Sequence, residues 1–211
     1  IYDSKISADI INKLKASGFK KSDYIQDEET ILVTKDDMHL PHSEMNQVRY
    51  GLNRADIVIK DNPTQEELDK MYEIYLIAAK RLEIKPKDKA VFEKLSEDGL
   101  VSLAYEKDTQ NLEGFLLNYF VKTDLSGVLG EKGDKLLIAM FTGLTDRGRD
   151  LKLGRAIYYQ LFQTAFDEYS VDVIDFHGAS RSKGRSYMGF KESFSRRFLS
   201  FPGSYTHIRF I

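Results

Sequence analysis

The chain has 211 residues, of which 42% are hydrophobic and 30% are charged, a balance typical of a globular protein with a full core. It contains no cysteine, which excludes disulfide scaffolds, thiol nucleophiles and cysteine-ligated zinc. Its net charge of −2 argues against indiscriminate nucleic-acid binding. No apolar run reaches the roughly 18 residues of a membrane span, and the first residues do not resemble a signal peptide, so we expect a cytoplasmic protein without a membrane span.

The N-terminal part is predicted to alternate short helices with short strands. A helix is expected to begin after Ser7 and to end at Gly18. β-branched residues indicate strands over Thr30–Thr34 and Asp56–Lys60. Between these strands, Ser43 is in position to cap a helix whose apolar residues recur every three or four positions.

The clearest helix of the sequence follows Pro63. Thr64 and Glu67 have the spacing of a capping box, in which each side chain satisfies a free backbone N–H of the first turn. Apolar residues then form one stripe at helical spacing, namely Leu68, Met71, Tyr72, Tyr75, Leu76, Ala79 and Leu82. A shorter helix is predicted around Phe92, and it ends at Gly99.

The second half of the chain indicates a sheet. Leu100–Tyr105 and Leu112–Lys122 form a predicted hairpin, and Leu136–Leu144 is a further strand. The helix Gly154–Tyr169 and the strand Val171–His177 follow. Because a strand, a helix and a strand in succession favour a parallel pair, the sequence predicts an α/β (α+β) fold, with a mixed β-sheet flanked by helices.

Two stretches of the sequence are rich in basic residues. The loop 145–154 and the residue after it contain Arg147, Arg149, Lys152 and Arg155. The backbone N–H groups at a helix N-terminus favour a phosphate or carboxylate, so we expect the amides of residues 152–155 and an arginine side chain to bind an anion. The second stretch carries Arg181, Lys183, Arg185, Lys191, Arg196 and Arg197. The alternative for both stretches is a solvated charged face.

The strand, loop, helix and strand around this first basic stretch resemble the cofactor-binding core of the GNAT acyltransferase superfamily. In that superfamily a loop of the form [Q/R]-x-x-G-x-[G/A] holds the pyrophosphate of an acyl-CoA. Gly154 and Ala156 match this pattern here, whereas Leu151 stands at the Gln/Arg position. The basic cluster and this resemblance together predict that the donor is bound by Arg147, Arg149, Lys152, Gly154, Arg155 and Ala156.

A narrower resemblance, to the FemABX family, extends from about residue 31 to residue 205. The family's short basic helix, R-x-x-[IL]-x-[KR]-A, is matched within QVRYGLNRADIVI, and its Y-x-x-Y helix within ELDKMYEIYLIAAKRLEIKP. Its closing segment is a strand with an acidic-aromatic pair, a loop, an F-K-x-x-F motif and a returning strand. The matching residues are Asp175, Phe176, Phe190, Lys191, Phe194, Gly203 and Tyr205.

FemABX proteins transfer amino acids from aminoacyl-tRNA to the peptide stem of cell-wall precursors, and they are built from two GNAT-like domains. The resemblance implies that residues 1–40 are the end of a first domain and that residues 41–211 are an acyltransferase domain. It also implies an aminoacyl-tRNA donor, an amine acceptor and tRNA as a partner. We expect no covalently bound cofactor and no metal site.

The family's F-K motif places a catalytic lysine at Lys191, where a fixed cation stabilises the oxyanion formed when an amine attacks an acyl carbonyl. On this hypothesis, Lys191→Ala leaves the fold intact and abolishes the reaction; the alternative is a surface lysine. Asp175 is either an acceptor for the amine proton or a strand residue paired with an arginine. His177 is a further candidate base. The substrate-binding candidates are Arg49, Arg54, Arg181, Phe190 and Tyr205.

Three functions therefore stay open at the level of the sequence. The first is a FemABX-like transferase that joins an acyl or aminoacyl group to an amine. The second is an acyl-CoA-dependent N-acyltransferase, and the Leu151 substitution in the loop motif argues against it. The third is a non-catalytic module that keeps the fold and its anion pocket.

Overall fold

The computed structural model describes residues 12–13, 15–17, 20–21, 29–122, 135–177, 185–200 and 205–206. The strands are β1 (Lys20–Lys21), β2 (Glu29–Val33), β3 (Ala55–Lys60), β4 (Gly99–Glu106), β5 (Leu112–Lys122), β6 (Lys135–Leu144), β7 (Val173–Asp175), β8 (Arg197–Ser200) and β9 (Tyr205–Thr206). The helices after β2 are α1 (His42–Leu52), α2 (Gln65–Arg81), α3 (Lys89–Glu97), α4 (Asp146–Asp150), α5 (Leu153–Asp167) and α6 (Arg185–Glu192).

Seven strands form one mixed sheet in the order β3-β4-β5-β6-β7-β2-β8. β6 and β7 run parallel, and every other neighbouring pair in this sheet is antiparallel. The predicted hairpin is β4–β5, and α5 connects the predicted parallel pair. The mixed α/β fold that the sequence predicts is confirmed. β1 and β9 form a separate two-stranded ribbon.

Strand β2 lies inside this sheet although it comes from the beginning of the chain. It pairs with β7 through Leu32 and Asp175, and with β8 along Glu29–Leu32. Residues 29–33, which the sequence analysis assigns to the end of a first domain, therefore share a sheet with the rest of the described chain. The division at residue 40 stays a prediction.

The two faces of the sheet are covered by different helices. On one face α5 buries Ile157, Leu161 and Phe162 against residues of the sheet such as Leu116 and Leu137. On the other face α2 and α3 pack on β4, β5 and β6 through an aromatic cluster, whose members are Tyr72, Tyr75, Phe92, Phe115 and Phe141. Burial of these large side chains supplies most of the hydrophobic stabilisation.

A local sequence signal sets the start of α2. In α2 the predicted capping box is present, because the Glu67 N–H donates to Thr64 Oγ1 at 3.2 Å and the Thr64 N–H donates to Glu67 Oε2 at 2.6 Å. The prediction that Ser43 caps α1 was wrong, since that helix begins at His42 and has Pro41 as its N-cap. The described residues contain no helix that is long and apolar enough to cross a membrane.

Candidate active site

A cleft opens where the parallel strands β6 and β7 separate. Their pairing consists of Leu136 with Val173, Leu137 with Ile174, and Ile138 with Asp175. β7 ends at Asp175, whereas β6 continues to Leu144 and stays paired with β5 on its other side. Within the described chain, residues 139–144 therefore present a backbone edge with no strand beside it on the β7 side. In open α/β sheets, ligands bind at the carboxyl ends of such strands.

A β-bulge bends β6 at the level where this cleft begins. Asn118 pairs with Ala139 and Leu117 pairs with Phe141, so Met140 is the extra residue. Bulges occur next to active sites, where they redirect a strand and its side chains. Asn118 is fully buried beside the bulge, and its amide donates to the Leu100 carbonyl oxygen at 2.8 Å.

Asp175 is the last residue of β7 and lies at the closed end of the cleft. Its neighbours Ile174 and Phe176 are in the core beneath α5, so its side chain points to the opposite face of the sheet. The hydroxyl of the fully buried Thr30 donates to Asp175 Oδ1, and the His177 N–H donates to the same oxygen at 2.7 Å. The carboxylate is thus held by two donors from two different elements.

Lys191 is only 4% exposed and contacts the two residues that follow Asp175. Its ammonium donates to the carbonyl oxygens of Phe176 at 2.9 Å and His177 at 2.8 Å, and it lies 5.6 Å from the centre of the Phe176 ring. His177 has a positive φ of 47°, which ends β7. Lys191 therefore closes the turn that follows β7. A direct role in oxyanion stabilisation stays a prediction.

The loop after β6 contains two helix starts in succession. Thr145 caps the short α4 by accepting the Gly148 N–H at 2.9 Å. Lys152 then takes a left-handed conformation (φ 59°) at the N-cap of α5, without a side-chain cap. The first backbone N–H groups of α5 have no partner inside the helix and favour an anion. Leu151, at the Gln/Arg position of the GNAT motif, is buried in the core beneath α5.

Two of the four basic side chains in this loop are held by acidic residues from distant parts of the chain. Arg147 Nε donates to Glu106 Oε1 at 2.7 Å, at the end of β4. Arg155 forms an ion pair with Glu44 of α1, and its guanidinium lies 5.0 Å from the centre of the Phe190 ring. Acidic partners thus neutralise part of the positive charge that the sequence places here.

Arg149 and Lys152 are exposed, and no acidic residue from a distant part of the described chain is paired with them. Arg149 Nη1 lies 3.3 Å from Asp146 Oδ1, an i,i+3 pair in which both side chains are more than half exposed. Such pairs contribute little energy and yield easily to a stronger anion. Gly154 lies in the first turn of α5, and Ala156 is buried against Gly51 of α1. Donor binding by these residues stays a prediction.

The F-K motif and the loop lie side by side. Phe190 on α6 contacts Arg155, and its ring also packs against Tyr158 in the second turn of α5, with ring centres 5.4 Å apart. A groove of about 1020 Å³ lies between α1, α6 and β8, and Glu44 and Gly189 are among its lining residues. Its lining includes acidic and basic side chains, namely Asp37, Glu44, Glu192, Arg196 and Arg197, together with His39.

The other sequence candidates lie elsewhere. Arg49 is exposed on α1, with Nη1 3.5 Å from Asn46 Oδ1. Arg54 packs 3.5 Å above the Tyr50 ring and donates to the Tyr50 carbonyl oxygen at 3.2 Å. Arg181 and the side chain of Tyr205 lie outside the described residues. Within the described ranges, no group of three or more histidine and acidic side chains is arranged to hold a metal ion.

Gly148→Ala is expected to push α4 away from β5. A Cβ at residue 148 would lie 2.1 Å from the Glu113 carbonyl oxygen, a backbone atom that cannot move aside cheaply. We expect a loss of about 1–3 kcal/mol in the free energy of unfolding, measured by denaturant titration. Gly189→Ala is the matched control, because no atom of the described residues lies within 4 Å of a Cβ at that position. Equal stability of the two variants would contradict the close α4–β5 contact.

Glu106→Gln is expected to lower the melting temperature at pH 7 but not at pH 3. Hydrogen bonds from Arg147 and Thr109 hold the pKa of Glu106 below its usual value. A carboxyl group with a lowered folded-state pKa contributes stability above its ordinary pKa, and this contribution is lost as the pH falls through the folded-state value. The exposed Glu66→Gln is the control. A pH-independent difference between Glu106→Gln and the native chain would contradict this pairing.

No protein-family model matches the chain, and no curated protein matches it significantly. Solved structures do match. FemX superposes with a TM-score of 0.68 at 15% identity, covering 96% of this chain and 69% of FemX. A tandem GNAT protein from the clavulanic acid biosynthesis pathway gives 0.53 at 12% identity, covering 90% of this chain and 55% of that one.

A third match is the GCN5-related glucosamine N-acetyltransferase region of a fungal multi-domain GH3 β-N-acetylglucosaminidase. The TM-score is 0.54 at 10% identity, and the match covers 94% of this chain and 22% of the fungal protein. The three matches span most of this chain but differing shares of the other proteins. At these identities the likeness concerns the fold.

Proposed function

Because the chain has a GNAT fold of the FemABX type, we propose that it transfers an acyl or aminoacyl group from an activated donor to an amine. The observation that carries this proposal is the cleft between β6 and β7, which has the carboxylate of Asp175 at its closed end. An activated ester, as in aminoacyl-tRNA, is the first candidate for the donor. FemX gives the highest of the TM-scores reported above and covers nearly the whole chain.

The proposed reaction is a direct attack of the amine on the acyl carbonyl. The nitrogen–carbon bond forms, the carbon–oxygen bond to the donor alcohol breaks, and the alcohol leaves with a proton. The amine must lose a proton as the new amide forms; Asp175 accepts this proton in the proposed step and returns it to the oxygen of the leaving alcohol. The free backbone edge of β6 offers N–H donors beside the developing oxyanion. Lys191 contributes by holding the turn that carries Asp175.

The donor's anionic end is proposed to bind at the start of α5. The first-turn amides of α5 attract a phosphate, and the exposed Arg149 and Lys152 add positive charge. The mixed-charge groove between α1 and β8 is the proposed acceptor channel, because its lining residues include Glu44, the partner of Arg155, and Gly189, which precedes Phe190. Its paired positive and negative side chains match a peptide or amino compound better than an apolar molecule.

Acyl-CoA is the second candidate donor, and one observation favours it. Residues 139–144 of β6 have an unpaired backbone edge, to which an extended chain with amide groups can add as a strand does. The pantetheine arm of an acyl-CoA carries two such amides. The buried Leu151, in place of a polar residue that would contact the pyrophosphate, argues against this donor.

A thermal-shift panel followed by a transfer assay tests the proposal. The full chain is mixed separately with acetyl-CoA, a non-hydrolysable aminoacyl-tRNA analogue, uncharged tRNA and a nucleotide-linked muropeptide. A ligand at 100 times its Kd stabilises the native state by about 2.7 kcal/mol, so a true donor raises the melting temperature measurably. We expect amine-dependent transfer from the stabilising donor. Binding without transfer would favour a non-catalytic module.

A double variant locates the donor within this panel. Arg149→Ala with Lys152→Ala is expected to reduce the thermal shift caused by the donor, since both side chains are exposed beside the start of α5. Lys80→Ala on α2 removes an equally exposed lysine from another face and serves as the control. An unchanged donor shift in the double variant would contradict anion binding at this loop.

A further inference from the structure

We propose that Thr30, supplied by the N-terminal strand β2, is a positioning residue that fixes Asp175 with Oδ2 left as the proton acceptor. This inference rests on the proposed function. The sequence contains no motif around Thr30, and its importance emerges only from the place of β2 in the sheet. Thr30 is fully buried, and its hydroxyl donates to Asp175 Oδ1 across 145 residues of sequence.

The donor hydroxyl is held rigidly. β2 is an inner strand with β7 on one side and β8 on the other, so its backbone is fixed by two ladders. Leu32 stands opposite Asp175 in the register, and Thr30 lies two residues away on the same face of the sheet. A β-branched side chain in a strand has few rotamers, which fixes the direction of the hydroxyl.

Both hydrogen bonds to the carboxylate reach the same oxygen. Thr30 and the His177 N–H bind Oδ1, and none of the described residues donates to Oδ2. This arrangement fixes the rotation of the carboxyl group. Oδ1 is the oxygen held by hydrogen bonds, and Oδ2 is the oxygen that takes the proton. The proton lost by the attacking amine passes to Oδ2, and the carboxylate then becomes a neutral carboxyl group.

Two titratable groups from other elements, Tyr119 and Lys191, lie around this carboxyl group. Tyr119 on β5 is paired with Ile138, which in turn faces Asp175 on β7. Burial, together with the negative charge of Asp175, raises the pKa of Tyr119. Lys191 lies behind the turn on α6, where its ammonium holds the carbonyl oxygens of Phe176 and His177.

The test compares Thr30→Val with Thr30→Ser in the full chain. Valine keeps the shape of threonine and removes the hydroxyl, whereas serine keeps the hydroxyl. Transfer from the donor found above is measured from pH 5 to pH 9. Thr164→Val is the control, because Thr164 is a buried threonine on α5, outside the cleft. It reports the effect of replacing a buried threonine with valine.

We expect Thr30→Val to change the acidic limb of the pH–rate profile, because the carboxyl group that takes the proton loses a hydrogen-bond donor. The rate should fall by about 10- to 100-fold as the carboxylate loses its orientation. Thr30→Ser should restore both. An unchanged profile in Thr30→Val, or equal losses in both variants, would overturn the positioning role. A native chain without transfer from any donor would overturn the proposed function instead.

Discussion

Asp175→Asn is expected to lower the transfer rate by about two to four orders of magnitude, the usual contribution of a general base. The fold should be retained, because an asparagine carbonyl oxygen still accepts from Thr30 and from the His177 N–H. Donor binding at the start of α5 should also persist. The loss should therefore fall on kcat rather than on the affinity for the donor.

The measurement is single-turnover transfer with the donor that stabilises the chain, combined with thermal unfolding of each variant. Asp56→Asn is the matched control, because Asp56 is an exposed strand residue on β3, at the far edge of the sheet. A rate within twofold of the native value in Asp175→Asn would exclude Asp175 as the proton acceptor. The cleft would then be left without its proposed base.

The hairpin and the parallel pair were predictable because their signals are local. β4 and β5 are joined by a short polar turn, and α5 connects β6 to β7 directly, so neighbours in sequence are also neighbours in space. The position of β2 was not predictable in this way. Its partners are residues 173–175 and 197–200, and a run of β-branched residues indicates a strand without indicating where that strand pairs.

The same distinction explains what the sequence indicated about the candidate site. Asp175 and Lys191 emerged from a resemblance, and the structure brings them to one turn. The anion site was predicted by counting basic residues in one loop. That count misses acidic partners that the fold delivers from afar, such as Glu106 to Arg147. Local charge therefore overestimates the positive potential of a loop whenever distant acids pack against it.

Lys191→Met is expected to destabilise the chain by about 3 kcal/mol, contrary to the sequence-based expectation that removing this lysine leaves the fold intact. Its buried ammonium binds two backbone carbonyl oxygens. A hydrogen bond to a charged group contributes about 1.5–3 kcal/mol, and a buried acceptor left without a donor costs about 1–3 kcal/mol. Methionine has a similar length and no charge, so packing changes are kept small.

The combination of stability and rate separates the two roles of this lysine. If Lys191 acts by closing the turn after β7, Lys191→Met lowers the free energy of unfolding. Its transfer rate also falls, because Asp175 beside that turn is then misplaced. If Lys191 acts directly on the oxyanion, the rate falls by about two to three orders of magnitude at unchanged melting temperature. The exposed Lys80→Met should change neither quantity. Because the ammonium already binds the carbonyl oxygens of Phe176 and His177, we expect the first outcome.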